Sequence, residues 1–135
     1  MKEKIVPIIT EVGKIYGRDA IYLDKVNVIN EMTFELNGEF NTNLCSNLND
    51  EDIDKKYKII FENVHMFKMI ELDFDEIEYH SSFDIIENSS QIAKLIKKDR
   101  ESRINKIDEN YKHFVFRTYD TVFEIIGKDF KLYLL

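Results

Sequence analysis

The sequence contains no tryptophan, one proline, one cysteine and four glycines in 135 residues. With Cys45 alone, no intramolecular disulfide can form, which excludes a stapled secreted scaffold and fits a reducing cytosol. Four scattered glycines cannot build a phosphate cradle. No P-loop, G-x-G-x-x-G or G-x-S-x-G is present, so no motif marks an enzyme. Without a Gly/Ser/Pro-rich linker, an internal repeat or a low-complexity tract, residues 1–135 read as a single domain. Long hydrophobic runs are also missing. Ile5-Val6-Pro7-Ile8-Ile9 falls far short of the roughly 20 residues that span a bilayer. The start Met-Lys-Glu-Lys leads to Glu11, Lys14 and Arg18 with no small-residue cleavage site, unlike a secretory signal. A cytoplasmic protein with no membrane partner is expected.

Positive charge is in short supply. Nineteen Lys and Arg face 26 Asp and Glu, for a net charge of −7 and a pI near 5.0. A nucleic-acid partner needs a basic face, so none is expected. What the chain does have is 44% hydrophobic and 13% aromatic residues, enough to form a packed core.

The hydrophobic periodicity predicts an α+β fold with a mainly antiparallel, curved sheet. Ile5, Ile8, Ile9, Val12, Ile15 and Tyr16 recur at helical spacing, which predicts an N-terminal helix with Pro7 in its first turn and Gly17 as its stop. The period then changes to two through Val26, Val28, Met32, Phe34 and Leu36, and Asn37-Gly38 is a strong hairpin signal. The polar stretch from Asn41 to Lys56 reads as an exposed loop. Strands are predicted over 57–61 and 67–74, the second with Ile70, Leu72 and Phe74 inward and Glu71, Asp73 and Asp75 outward. Residues 83–86 fit a strand or the start of a helix. Ser89 or Ser90 is a good N-cap for a helix near residues 89–102, whose later turns carry Lys94, Lys97, Lys98 and Arg100. Phe114 and Phe116, then Val122 to Ile126, then Phe130, Leu132 and Leu134 form strands joined at Tyr119-Asp120 and at Gly127-Lys128-Asp129.

The negative charge is concentrated in the middle third, densest at Glu71, Asp73, Asp75, Glu76 and Glu78. Such a block either steers a basic partner by complementary potential or is the solvated side of an amphipathic strand. A metal is not expected. Asp73-Phe74-Asp75-Glu76 lacks the third acid and the glycine of an EF-hand loop, and no short metal spacing links His65, His80 and His113. No cofactor is implied either. The phenylalanines recur at strand spacing with few bases beside them, which favours a core over a base-stacking platform.

The stretch from Phe83 to Leu135 carries a resemblance. Phe-Asp-Ile-Ile-Glu-Asn-Ser-Ser-Gln-Ile, a lysine-rich helix, and then His113-Phe114-Val115-Phe116-Arg117-Thr118-Tyr119-Asp120-Thr121-Val122-Phe123-Glu124-Ile125 resemble the small YxiG-like proteins of Bacillus and relatives. Members are often encoded near secreted polymorphic toxins and are suspected immunity proteins. The resemblance implies a shared fold and carries over no catalytic residue. Its matching polar positions, Tyr119, Asp120 and Glu124, read as turn-shaping.

The sequence therefore predicts a non-enzymatic protein-binding module, in its specific form an immunity-like protein that neutralises a basic toxin domain. Glu71, Asp73, Asp75, Glu76 and Glu78 are the candidate partner-binding residues, with the Asn41–Asp54 loop as a secondary contact. The alternative is a small-molecule or catalytic pocket within the curved sheet, using a buried carboxylate or His113. A homodimer through the sheet edges is a third arrangement, in which the acids serve solubility.

Overall fold

A computed structural model describes residues 2–48 and 54–135. The chain is α+β, dominated by two antiparallel sheets, and among the described residues no helix is long and apolar enough to cross a membrane. One sheet holds β1 (Lys4–Pro7), β5 (Met66–Glu71), β6 (Phe83–Glu87), β7 (Lys112–Arg117) and β8 (Thr121–Gly127) in the order β1-β6-β7-β8-β5. The other runs β2-β3-β4-β9, with β2 (Ile21–Asn30), β3 (Thr33–Asn41), β4 (Asp54–Glu62) and β9 (Asp129–Leu134). The two inner faces meet through aromatic rings. Phe34 of β3 stacks on Phe67 of β5 at 4.4 Å between centroids, and Phe61 of β4 packs on Phe83, Phe114 and Phe116 of the first sheet. Alternation along each strand sends these rings inward, and their burial drives the association of the sheets.

The N-terminal stripe does not form a helix. β1 pairs with β6, and the chain then folds back through bridges from Thr10 to Gly13 and from Ile15 to Cys45. Two local facts suit the observed path. Pro7 lacks an amide, which suits an edge strand. Gly13 adopts φ +84°, where a Cβ would also collide with Ser46 Oγ. The stripe itself is divided: Val12 and Ile15 are in the core, while Ile9 and Tyr16 face solvent.

Asn37-Gly38 is likewise not a turn. Both lie inside β3, and the hairpin closes at Glu31-Met32, where the Asn30 side chain accepts the Met32 amide. The register between β2 and β3 shifts between Leu23 and Lys25, and Gly38 faces that bulge. A Cβ there would collide with the Tyr22 carbonyl, so the glycine serves a close approach of two strands. The predicted strand over 67–74 stops at Glu71 and continues as a 3-10 turn, Leu72–Phe74, which leaves Phe74 exposed instead of inward. Residues 83–86 are strand. The exposed loop expected over 41–56 instead holds the last residue of β3, a 3-10 turn, Thr42–Leu44, with Thr42 and Cys45 buried, and the start of β4 at Asp54, while its residues 49–53 lie outside the described residues.

The single described helix, α1 (Ser90–Glu101), matches the expected span, with the Ser89 hydroxyl accepting the Ile92 amide. The β7–β8 hairpin forms as predicted, but β9 leaves its neighbour β8 and pairs with β4 in the opposite sheet. Gly127-Lys128 is therefore the point at which the chain changes sheets.

Candidate interaction surface

β7 reads His-Phe-Val-Phe-Arg and is buried on both sides, as in a sheet covered on two faces. Phe114 and Phe116 enter the inter-sheet core. His113, Val115 and Arg117 share the opposite face, where α1 covers one end of the sheet and residues 72–82 cover the other. The two buried polar residues that β7 places on this face, His113 and Arg117, fasten the two covers.

Arg117 fastens residues 72–82. Its guanidinium donates to Asp84 Oδ2 at 2.7 Å and to the carbonyls of Ser81 at 2.7 Å and Glu78 at 3.0 Å, and it lies 3.7 Å from Asp75. It also sits 5.1 Å from the centre of the Tyr79 ring. Asp84 is fully buried and further accepts the His80 and Ser81 amides and the Ser81 hydroxyl. Charge-assisted bonds from both terminal nitrogens of the guanidinium, with Asp75 near its Nε, make the burial of this pair tolerable.

His113 fastens α1. The Ser89 hydroxyl meets Nδ1 at 2.7 Å, and Nε2 meets Glu124 Oε1 at 2.9 Å, with Lys68 Nζ 3.6 Å from the other carboxylate oxygen. Ser, His and Glu in this order are also the parts of a hydrolytic triad. Here, however, the serine oxygen caps α1, and the next amide of the helix, that of Ser90, is bonded to the Glu3 carboxylate at 2.8 Å. The hydrogen bond from His113, aided by its charge and that of Lys68, holds the Glu124 carboxyl below its usual range against the opposing effect of burial. A lowered folded-state value adds stability that is complete above the ordinary carboxyl value of about 4.3 and is lost as pH falls below it. Thermal melts taken from about pH 6 to about pH 3 should therefore fall less steeply for Glu124→Gln than for the wild type. Equal slopes would remove Glu124 from the acid response.

The five acids do not share one face. Asp75 is turned inward, with its carboxylate committed to Arg117 and to the Ile77 amide, and it is not presented to a partner. Glu76 and Glu78 line a hollow beside β1 with Lys2, Ile5 and His80. Glu71 and Asp73 line a separate groove of about 420 Å³ with Met69, Leu72, Asp120 and Arg18. Neither carboxylate has an ion-pair partner among the described residues.

Beside this groove lies a cluster absent from the sequence reading. Tyr79 packs edge-on against Tyr16 at 5.2 Å, and its hydroxyl accepts the Gly17 amide at 2.6 Å and meets Ser82 Oγ at 3.0 Å. Arg18 lies 4.8 Å from the centre of Tyr119, bonds that residue's carbonyl at 3.3 Å and approaches Asp120 at 3.7 Å. Tyr119 in turn stacks on Tyr22 at 5.8 Å. All four tyrosines keep substantial exposure, as does Met69. Arg117 and Asp84 did have a sequence signal, since each is a charge next to large apolar residues, Phe83 and Ile85 for Asp84 and Phe116 for Arg117. The tyrosine cluster had none, because its members are distant in sequence and meet only in the fold.

The remaining candidates have local partners. His65 meets the Tyr111 hydroxyl at 3.2 Å and His80 lies 3.5 Å from Glu78. Cys45 is buried, which pushes its thiol up to about 11 and away from thiolate reactivity. Among the described residues no three His, Cys, Asp or Glu side chains are grouped to hold a metal.

The fold and this surface together define an antiparallel two-sheet α+β protein with an exposed tyrosine–arginine cluster edged by two carboxylates that have no ion-pair partner among the described residues. Comparison with known proteins returns no matching family model, no matching curated protein and no matching solved structure.

Proposed function

We propose that this chain is a non-enzymatic protein-binding module that neutralises a basic toxin domain in the manner of an immunity protein. The observation that carries the reading is the cluster of exposed Tyr16, Tyr79, Tyr119 and Arg18 beside the carboxylates of Glu71 and Asp73, which have no ion-pair partner among the described residues. Tyrosine and arginine are the residues that most often carry interface energy, and rigid ones lose little entropy on binding. The neighbouring acids supply steering toward a basic surface and can occupy a groove meant for phosphates. The resemblance of residues 83–135 to YxiG-like proteins supports the same reading, and a cytoplasmic location belongs to it. A pocket built on His113 has less support, because its ring nitrogens are engaged by Ser89 and Glu124 and the space between the sheets is filled with phenylalanine rings.

Native mass spectrometry on the protein from its own cells should show a one-to-one complex with a basic polypeptide. With that partner, the double reversal Glu71→Lys/Asp73→Lys should slow association about tenfold at low salt and flatten its salt dependence. The same reversal at Glu76 and Glu78, which face another hollow, should have a smaller effect. A protein that carries no partner, or a Glu71/Asp73 variant with unchanged association kinetics, would overturn the proposal.

A further inference from the structure

Next to the acidic groove is a second, smaller hollow of about 230 Å³, lined by Gly17, Arg18, Leu72, Tyr79, Arg117 and Thr118. Arg18 and Leu72 line both hollows, so the two lie side by side. Their chemistry differs. The guanidinium of Arg117 is turned into its own hydrogen bonds and that of Arg18 toward Tyr119 and Asp120, which leaves the smaller hollow walled by the Tyr79 ring, Leu72 and the stems of the two arginines. The larger one presents Glu71, Asp73 and Asp120, of which, among the described residues, only Asp120 has an ion-pair partner, Arg18.

The walls of the apolar well are fixed in advance. Tyr79 is tied through its hydroxyl to Gly17 and Ser82, and the Ser82 hydroxyl donates to the Gly17 carbonyl at 2.8 Å. Gly17 itself has φ +132°, a conformation open to glycine, and a Cβ there would press on Leu44 at 3.0 Å. An apolar well with preset walls beside the carboxylates of Glu71 and Asp73 is a seat for an apolar anchor next to a cation.

We infer that the two hollows form one recognition seat for an extended segment of a partner protein, with an apolar side chain in the well and a lysine or arginine in the acidic groove. Side chains of an extended segment share a face at every second position, so the recognised pair is spaced i, i+2. This rests on the protein-binding reading and names the partner chemistry at that surface.

The test uses the full chain, isotope-labelled for NMR, and a defined probe, the peptide acetyl-Gly-Leu-Ser-Arg-Gly-amide. At concentrations up to roughly 10 mM it should give saturable shifts at the amides of Gly17, Arg18, Leu72 and Thr118. Replacing its leucine by serine should weaken binding about tenfold, the loss expected for one buried aliphatic side chain. Replacing its arginine by glutamate should weaken binding about as much, and that discrimination should vanish in the Glu71→Gln/Asp73→Gln protein, whose changes are on the surface. Binding that needs the arginine but ignores the leucine would overturn the paired seat and leave the acidic reading standing. Absence of shifts, or shifts elsewhere on the molecule, would overturn the seat, while the association kinetics of the charge-reversed protein still decide the parent proposal.

Discussion

Replacing Arg117 by methionine is expected to destabilise the protein by about 3–5 kcal/mol, the cost of leaving a buried charge without its partner. Asp84 has no solvent exposure, and Arg117 is the only cation bonded to it among the described residues. The loss also frees two carbonyls, those of Ser81 and Glu78, and the carboxylate of Asp75. Chemical denaturation should show it directly, and the melting temperature should fall by roughly 10–18 °C. The double variant Arg117→Met/Asp84→Asn should cost less than the sum of the two single changes, because both remove one interaction. Arg117→Lys should rescue little, since an ammonium cannot serve so many acceptors from one planar group. A methionine variant within about 1 kcal/mol of wild type would show that the network contributes little. Arg117 also lines the apolar well and lies over Tyr79, so the same change should loosen the binding seat as well as the fold.

Phe61→Ala should destabilise to a similar extent, by about 3–5 kcal/mol, through lost burial and the cavity left behind. Phe61 is completely buried on β4 and touches the rings of Phe83, Phe114, Phe116 and Phe130 at centroid distances of 5.4 to 6.4 Å. Three of those rings belong to the other sheet, so the hole opens where the layers meet and neither sheet can close it alone. Urea unfolding should show a lower midpoint with an unchanged slope. A cost below about 1.5 kcal/mol would mean that the neighbouring rings collapse into the space. Unlike the Arg117 variant, Phe61→Ala acts away from the tyrosine cluster. Below its melting temperature it should retain peptide binding, which separates the stability of the sandwich from the integrity of the seat.

Local pattern was sufficient wherever an element is defined by its own residues. Helix α1 follows from the Ser89 cap, the Ile92, Leu95 and Ile96 face and the basic last turns. The β7–β8 hairpin follows from alternating apolar residues around Tyr119-Asp120, and the excess of acid in the middle third is visible in composition alone. Tertiary contacts decided the rest. The stripe from Ile5 to Tyr16 satisfies a helical period, but β6 offers an edge to pair with, and Gly13 must pass close to Ser46. Gly38 carries the strongest turn signal in the chain and is used for a bulge, because the close approach of β2 requires a residue without a side chain. The acids at 71–78 look like one block, yet the turn after Glu71 sends Asp75 inward and places Glu76 and Glu78 in a different hollow from Glu71 and Asp73. Linear spacing could not bring Tyr16, Arg18, Tyr79 and Tyr119 together. Strands remote in sequence become neighbours only when their apolar faces close on one another, so composition and local period set the class of fold and the sign of its charge, while sheet pairing made the surface.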